Sequence, residues 1–113
     1  MPFQVFLLPQ AEADIEANAS WWATHDSVNQ ATHWFDTVHA QLKLLTISPE
    51  SNGLSAENDE FPYEIRDKLV RVGPRPSYRA IFTIKENCVY VLTVQRSTQE
   101  VVRPTEVDAP PSE

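Results

Sequence analysis

The stretch from Tyr78 to Arg96, YRAIFTIKENCVYVLTVQR, leaves this chain few architectures to choose from. It is dense in β-branched and aromatic residues and broken once, by the polar Lys85-Glu86-Asn87. That pattern predicts two antiparallel strands joined by a tight turn. With Glu86-Asn87 as the loop, Lys85 lies opposite Cys88 and Phe82 opposite Val91. One face then carries Ala80, Phe82, Ile84, Val89 and Val91, apolar enough for a core. The other carries Arg79, Ile81, Thr83, Tyr90, Leu92 and Arg96. A one-residue change in register would exchange faces for every side chain beyond it. A lone hairpin is marginal in water, so the rest of the chain must supply a cover and at least one more strand.

The remaining segments supply both. Phe3–Leu8, FQVFLL, reads as a short buried strand that Pro9 ends. From Pro9 to about His25 the periodicity turns helical, with Ala11, Ile15, Ala19 and Trp22 on one face and acids in the first turns. Asp26 or Ser27 offers an N-cap for a second helix. Its apolar spine is expected to be Ala31, Phe35, Val38, Leu42 and Leu45. The two helices have almost no linker and so should form an antiparallel hairpin. Residues 48–64 break both periodicities and read as a long loop. Ile65–Val72 reads as a strand, and Gly73-Pro74-Arg75-Pro76-Ser77 as a stiff turn into the hairpin. The order is therefore β-α-α-β-β-β. Consecutive helices cannot alternate with strands, so the fold class is α+β: a helical hairpin packed on one face of a small, mostly antiparallel sheet. Residues 1–99 form the domain. Residues 100–113, acidic and rich in proline, are expected to be a disordered tail.

At 113 residues the length suits one domain. No apolar run is long enough to span a membrane, and no secretory leader is expected from residues 1–30. The single cysteine, Cys88, excludes an internal disulfide and suits a reducing cytoplasm. Its place in the strand pattern suits a small core residue better than a reactive thiol. The net charge of −7 is unevenly divided. Residues 1–65 carry ten acids against Lys43 alone, while residues 66–103 carry eight bases and three acids. An acidic protein is a poor non-specific binder of nucleic acid, yet a local basic face can still attract phosphate or an acidic partner.

Most chemical signatures are absent. His25, His33 and His39 lack metal-ligand spacing, and no metal or other cofactor is expected. Asp59-Glu60 reads as a solvated pair rather than an acid–base dyad. Two glycines cannot build a phosphate loop. No nucleophile motif surrounds any serine or threonine. Trp22 is placed in the core, while Trp21 and Trp34 are candidates for partial exposure; an exposed pair would mark a partner surface, although a core or helix–helix role is the commoner one for such residues. What remains is a set of cations on or beside the sheet: Arg71, Arg75, Arg79 and Arg96. In the register above, Arg79 and Arg96 share one face, where planar guanidinium groups suit phosphate or carboxylate recognition. The alternative is that Arg79 pairs internally with an acid of the 57–64 loop. The residues leave both open.

Three stretches carry a family resemblance: VFLLPQAEADIEANASWW, ENDEFPYEIR and, above all, SYRAIFTIKENCVYVLTV. They resemble the RelE/ParE superfamily of type II toxin–antitoxin toxins, of the plasmid-stabilisation type. Members open with a strand, a Pro-x-Ala turn and an Asp-Ile helix, and carry a Tyr-Arg-hydrophobic strand before the last hairpin turn. The resemblance covers residues 3 to about 99 and implies the fold already derived. It also implies a growth-inhibiting cytoplasmic toxin that a cognate antitoxin wraps and silences. One branch cleaves messenger RNA on the ribosome with basic residues of the second and third strands and an Arg and a Tyr after the last strand. Arg79 matches the third-strand arginine, and Lys68 and Arg71 are counterparts on the strand before it. Arg96 lies beside the usual basic position after the last strand. No tyrosine follows Tyr90, and Gln99 stands where an arginine is frequent. The resemblance therefore favours the ParE-like branch, which inhibits DNA gyrase without a catalytic constellation. Lys68, Arg71, Arg75, Arg79 and Arg96 are then candidates for contacting target or antitoxin. Arg79 and Arg96 would be catalytic only in the ribonuclease reading. A third reading is a degenerate member that only binds its antitoxin.

Overall fold

The computed structural model describes residues 2–73, 76–98 and 101–112. Pro74 and Arg75, where a stiff turn is expected, and the position Gln99 lie outside them. The element order is β1 (Gln4–Leu7), α1 (Pro9–His25), α2 (Val28–Lys43), β2 (Arg66–Arg71), β3 (Pro76–Lys85) and β4 (Cys88–Arg96), the expected β-α-α-β-β-β. The sheet order is β1-β4-β3-β2, with β1 parallel to β4 and the other two pairings antiparallel. The helical hairpin covers one face.

Each helix end has a local reason. Pro9 occupies the first turn of α1, and the Ser27 hydroxyl caps α2 by accepting from Gln30 N–H at 3.0 Å. α1 buries Ala11 and Ile15, with Ala19 and Trp22 partly buried beside them. α2 departs from the expected spine: Trp34 is fully buried, and Phe35 stays 39% exposed. The Trp34 ring meets Tyr78 edge to face, 5.2 Å between centroids, while Phe35 lies against His39. β1 is a half-exposed edge strand rather than a buried one.

The hairpin turns at Glu86-Asn87, with Lys85 opposite Cys88 and Phe82 opposite Val91, as the sequence predicts. A β-bulge then intervenes between Phe82 and Ile81, so that Ile81 pairs with Thr93, Ala80 with Val94 and Tyr78 with Arg96. The extra residue, Leu92, reverses the in-and-out alternation of the last half of β4. Ala80, Phe82, Val89, Val91 and Val94 pack beneath the helices, with Tyr78.

The second face of the sheet is also covered. Ile81 and Leu92 join Phe61, Ile65 and Val102 in a smaller apolar cluster, with Leu8, Tyr63 and Val107 at its margin. Residues 101–112, expected to lack order, are seated there because Val102 and Val107 each reach this cluster. The 48–64 loop lies against the sheet through short 3-10 turns and a bridge from Leu54 to Arg66. The Arg66 guanidinium donates to the carbonyls of Glu50 and Asn52, which ties that loop to the sheet edge.

Candidate functional site

The basic cluster expected on the sheet is not a single patch. Arg79 extends from the second face and is enclosed by acids. Its guanidinium donates through Nη1 to Glu57 Oε1 at 2.9 Å and through Nη2 to Glu57 Oε2, a bidentate pair. Nη1 also donates to Asp67 Oδ2 at 3.0 Å. The Ser55 hydroxyl donates to the other Asp67 oxygen and so orients that carboxylate. Glu57 is only 4% exposed, and its Oε2 accepts a further bond from Val102 N–H at 3.0 Å. A buried carboxylate is stable only where such bonds replace water. The Arg79 hydrogen bonds outweigh the cost of burial and hold the Glu57 pKa at about 2. The same carboxylate raises the Arg79 pKa above its ordinary value.

Arg96 stands on the other side of the sheet. Its pairing with Tyr78 puts it on the helix face, where its guanidinium carbon lies 4.7 Å from the Trp21 ring centroid. Trp21 is 39% exposed and also stacks on His25. The expectation that Arg79 and Arg96 share one face therefore fails, and the physical cause is the Leu92 bulge. Lys68 pairs with Ala80 on the outer strand β2, and Arg71 is exposed at that strand's end. Arg75 lies outside the described residues. The structure thus brings Arg79 together with Glu57 and Asp67, and disperses Arg79, Arg96 and Lys68.

Of the residues that sequence reasoning did not single out, Asp67 matters most. It sits on β2 diagonally across from Arg79, since Leu69 is the direct partner of Arg79. Only the strand register reveals that diagonal. Asp14 is another. Its carboxylate accepts from the Thr93 hydroxyl, from Val94 N–H at 3.1 Å and from the Gln10 side chain at 2.8 Å. β1 pairs with β4 only as far as Val91, so Asp14 serves the strand edge where β1 stops. An open cleft of about 590 Å³ lies along that edge, lined by Asp14, Asn18, Trp21, Gln95, Arg96 and Glu106 among others. Among the described residues, no cluster of three or more His, Cys, Asp or Glu could hold a metal ion. No helix among them is long and apolar enough to cross a membrane.

A family model described as "ParE toxin of type II toxin-antitoxin system, parDE" matches residues 5–101. The chain belongs to the ParE toxin family. This agrees with the resemblance carried by the hairpin and the first helix. Among solved structures, a chain titled "Chromosomal ParDE TA system from P. aeruginosa" superposes with a TM-score of 0.68 at 19% identity, covering 83% of this chain and 95% of that one. That likeness is one of fold. No curated protein matches. As a ParE family member, the chain is read on the toxin side of a toxin–antitoxin system, and the disposition of its arginines bears on how.

Proposed function

We propose that this ParE family member arrests growth by binding DNA gyrase in the cytoplasm, and that a cognate antitoxin silences it by covering the binding surface. The observation that carries the preference for binding over catalysis is the state of Arg79. An RNA-cleaving site needs cationic groups converging on one phosphate and a general base or acid at the ribose hydroxyl. Here Arg79 is neutralised by Glu57 and Asp67, and Arg96 lies on the opposite side of the sheet. The net charge of −7 also disfavours docking on ribosomal RNA. Arg96 over Trp21 is the better candidate for a protein contact, because Trp and Arg are enriched where binding energy concentrates. Lys68 and Arg71, on the outer strand, are proposed as a second contact region.

The test is a supercoiling assay with purified gyrase, run beside a ribosome-dependent mRNA cleavage assay. We expect supercoiling to be inhibited and messenger RNA to stay intact. Arg96→Ala with Trp21→Ala should weaken inhibition at least tenfold. Ribosome-dependent cuts that disappear in Arg79→Ala would overturn the proposal in favour of the ribonuclease. Normal growth on expression without any neighbouring antitoxin would instead identify a member that only binds its antitoxin.

A further inference from the structure

Residues 101–112 cross the second face of the sheet from the end of β4 to the hairpin turn, and four of them hold the segment there: Val102, Val107, Asp108 and Pro111. Val102 is buried in the Ile65, Ile81 and Leu92 cluster, and its N–H donates to Glu57. Val107 packs at the margin of that cluster. The next residue, Asp108, accepts from Gln10 N–H at 2.8 Å in the first turn of α1. The N-cap of α1 is Leu8, whose side chain cannot accept a hydrogen bond, so a carboxylate from the far end of the chain satisfies an orphan donor at the positive end of the dipole. Finally Lys85 Nζ donates to the Pro111 carbonyl. Apart from one 3-10 turn at Pro104–Glu106, this segment has no regular structure and pairs with no strand. It is held by separable ties to side chains rather than by a ladder, so it can lift without breaking a strand pairing. A groove of about 430 Å³, lined by Tyr63, Thr83, Ile84 and Lys85, runs beneath Ala109 and Pro110.

We propose that residues 101–112 are an intramolecular strap, a peptide ligand carried on the chain it binds, which must be displaced before a segment of another protein can lie on this face. What the face recognises is written in its occupant: two valines five positions apart, a carboxylate directly after the second, and a proline-rich end. Tethering gives the strap an effective concentration on the order of millimolar, so a free peptide of the same sequence competes poorly with it. The inference does not depend on the gyrase reading.

The experiment uses the full chain, a Val107→Asp/Asp108→Ala double variant and a fluorescent peptide of residues 101–113. Both chains are first shown to unfold cooperatively. We expect the peptide to bind the double variant at least tenfold more tightly than the wild type, whose second face is already covered by Val102 and Val107. Asp108→Ala alone keeps both valines. It should bind the peptide to an intermediate degree and be cut faster after Glu106 by a glutamate-specific protease. Equal peptide binding to wild type and double variant, or binding to neither, overturns the strap. So does a wild-type rate of cleavage after Glu106 in Asp108→Ala.

Discussion

At the scale of single residues, the chain's chemistry centres on the buried Glu57, which neutralises the half-buried Arg79 guanidinium and anchors a peptide N–H from a distant segment. Its folded pKa of about 2 lies below the ordinary carboxyl value of 4.5. The stabilisation is therefore complete above about pH 4.5 and lost as pH falls through about 2. A depression of that size corresponds to about 3 kcal/mol. Glu57→Gln should lower stability at pH 7 by about 3 kcal/mol, because among the described residues Arg79 then keeps Asp67 alone as an ionic partner. It should also flatten the fall in melting temperature between pH 4.5 and 2. A variant profile parallel to that of the wild type across this window would refute the role given to Glu57. The sequence carries half of this arrangement. The 57–64 acids are recognisable partners for a sheet arginine, but nothing in the residues chooses Glu57 over Asp59, Glu60 or Glu64. The choice is made by the apolar neighbours Phe61 and Ile65, which seat the loop on the sheet.

At the scale of elements, α2 shows where periodicity loses its power to discriminate. At about 100° per residue, Trp34 and Phe35 each lie about 50° to either side of the stripe formed by Ala31, Val38, Leu42 and Leu45. Helical spacing alone therefore cannot say which ring is buried. Tertiary packing decides, because Tyr78 offers the Trp34 ring an edge-to-face contact beneath the helix. Trp34→Ala should cost about 3–5 kcal/mol, and Phe35→Ala about 1 kcal/mol or less, measured by urea denaturation. Comparable losses from the two would restore the spine through Phe35. The bulge in β4 is hidden in a different way. The residues Val91-Leu92-Thr93-Val94 are all good strand formers, so no glycine or proline marks the extra residue. The expected register holds from the turn to Phe82 and then fails, and with it goes the shared arginine face. The strands, the helices, their order and the hairpin turn were all legible, because each rests on local chemistry within a few residues.

At the scale of the whole molecule, the sheet serves two cores at once. Leu42 is packed in the helix-side cluster and Ile81 in the cluster on the second face, each almost completely buried. β3 contributes alternate residues to both, since Ala80 and Phe82 face the helices while Ile81 faces away. One face cannot lose its order without releasing strand residues that the other needs. The strap can detach without disturbing any ladder, but the sheet itself should melt as one unit. Leu42→Ala and Ile81→Ala are each expected to lower stability by about 2–5 kcal/mol. Both should move a single urea transition, whether followed by tryptophan fluorescence or by methyl resonances of Ile65 and Leu92. The three tryptophans all lie on α1 and α2, whereas those methyl groups report the second face. If Ile81→Ala shifted the methyl transition and left the fluorescence midpoint in place, the two clusters would be separate folding units. β3 would then not couple them, and the Arg79–Glu57 network would melt independently of the helices.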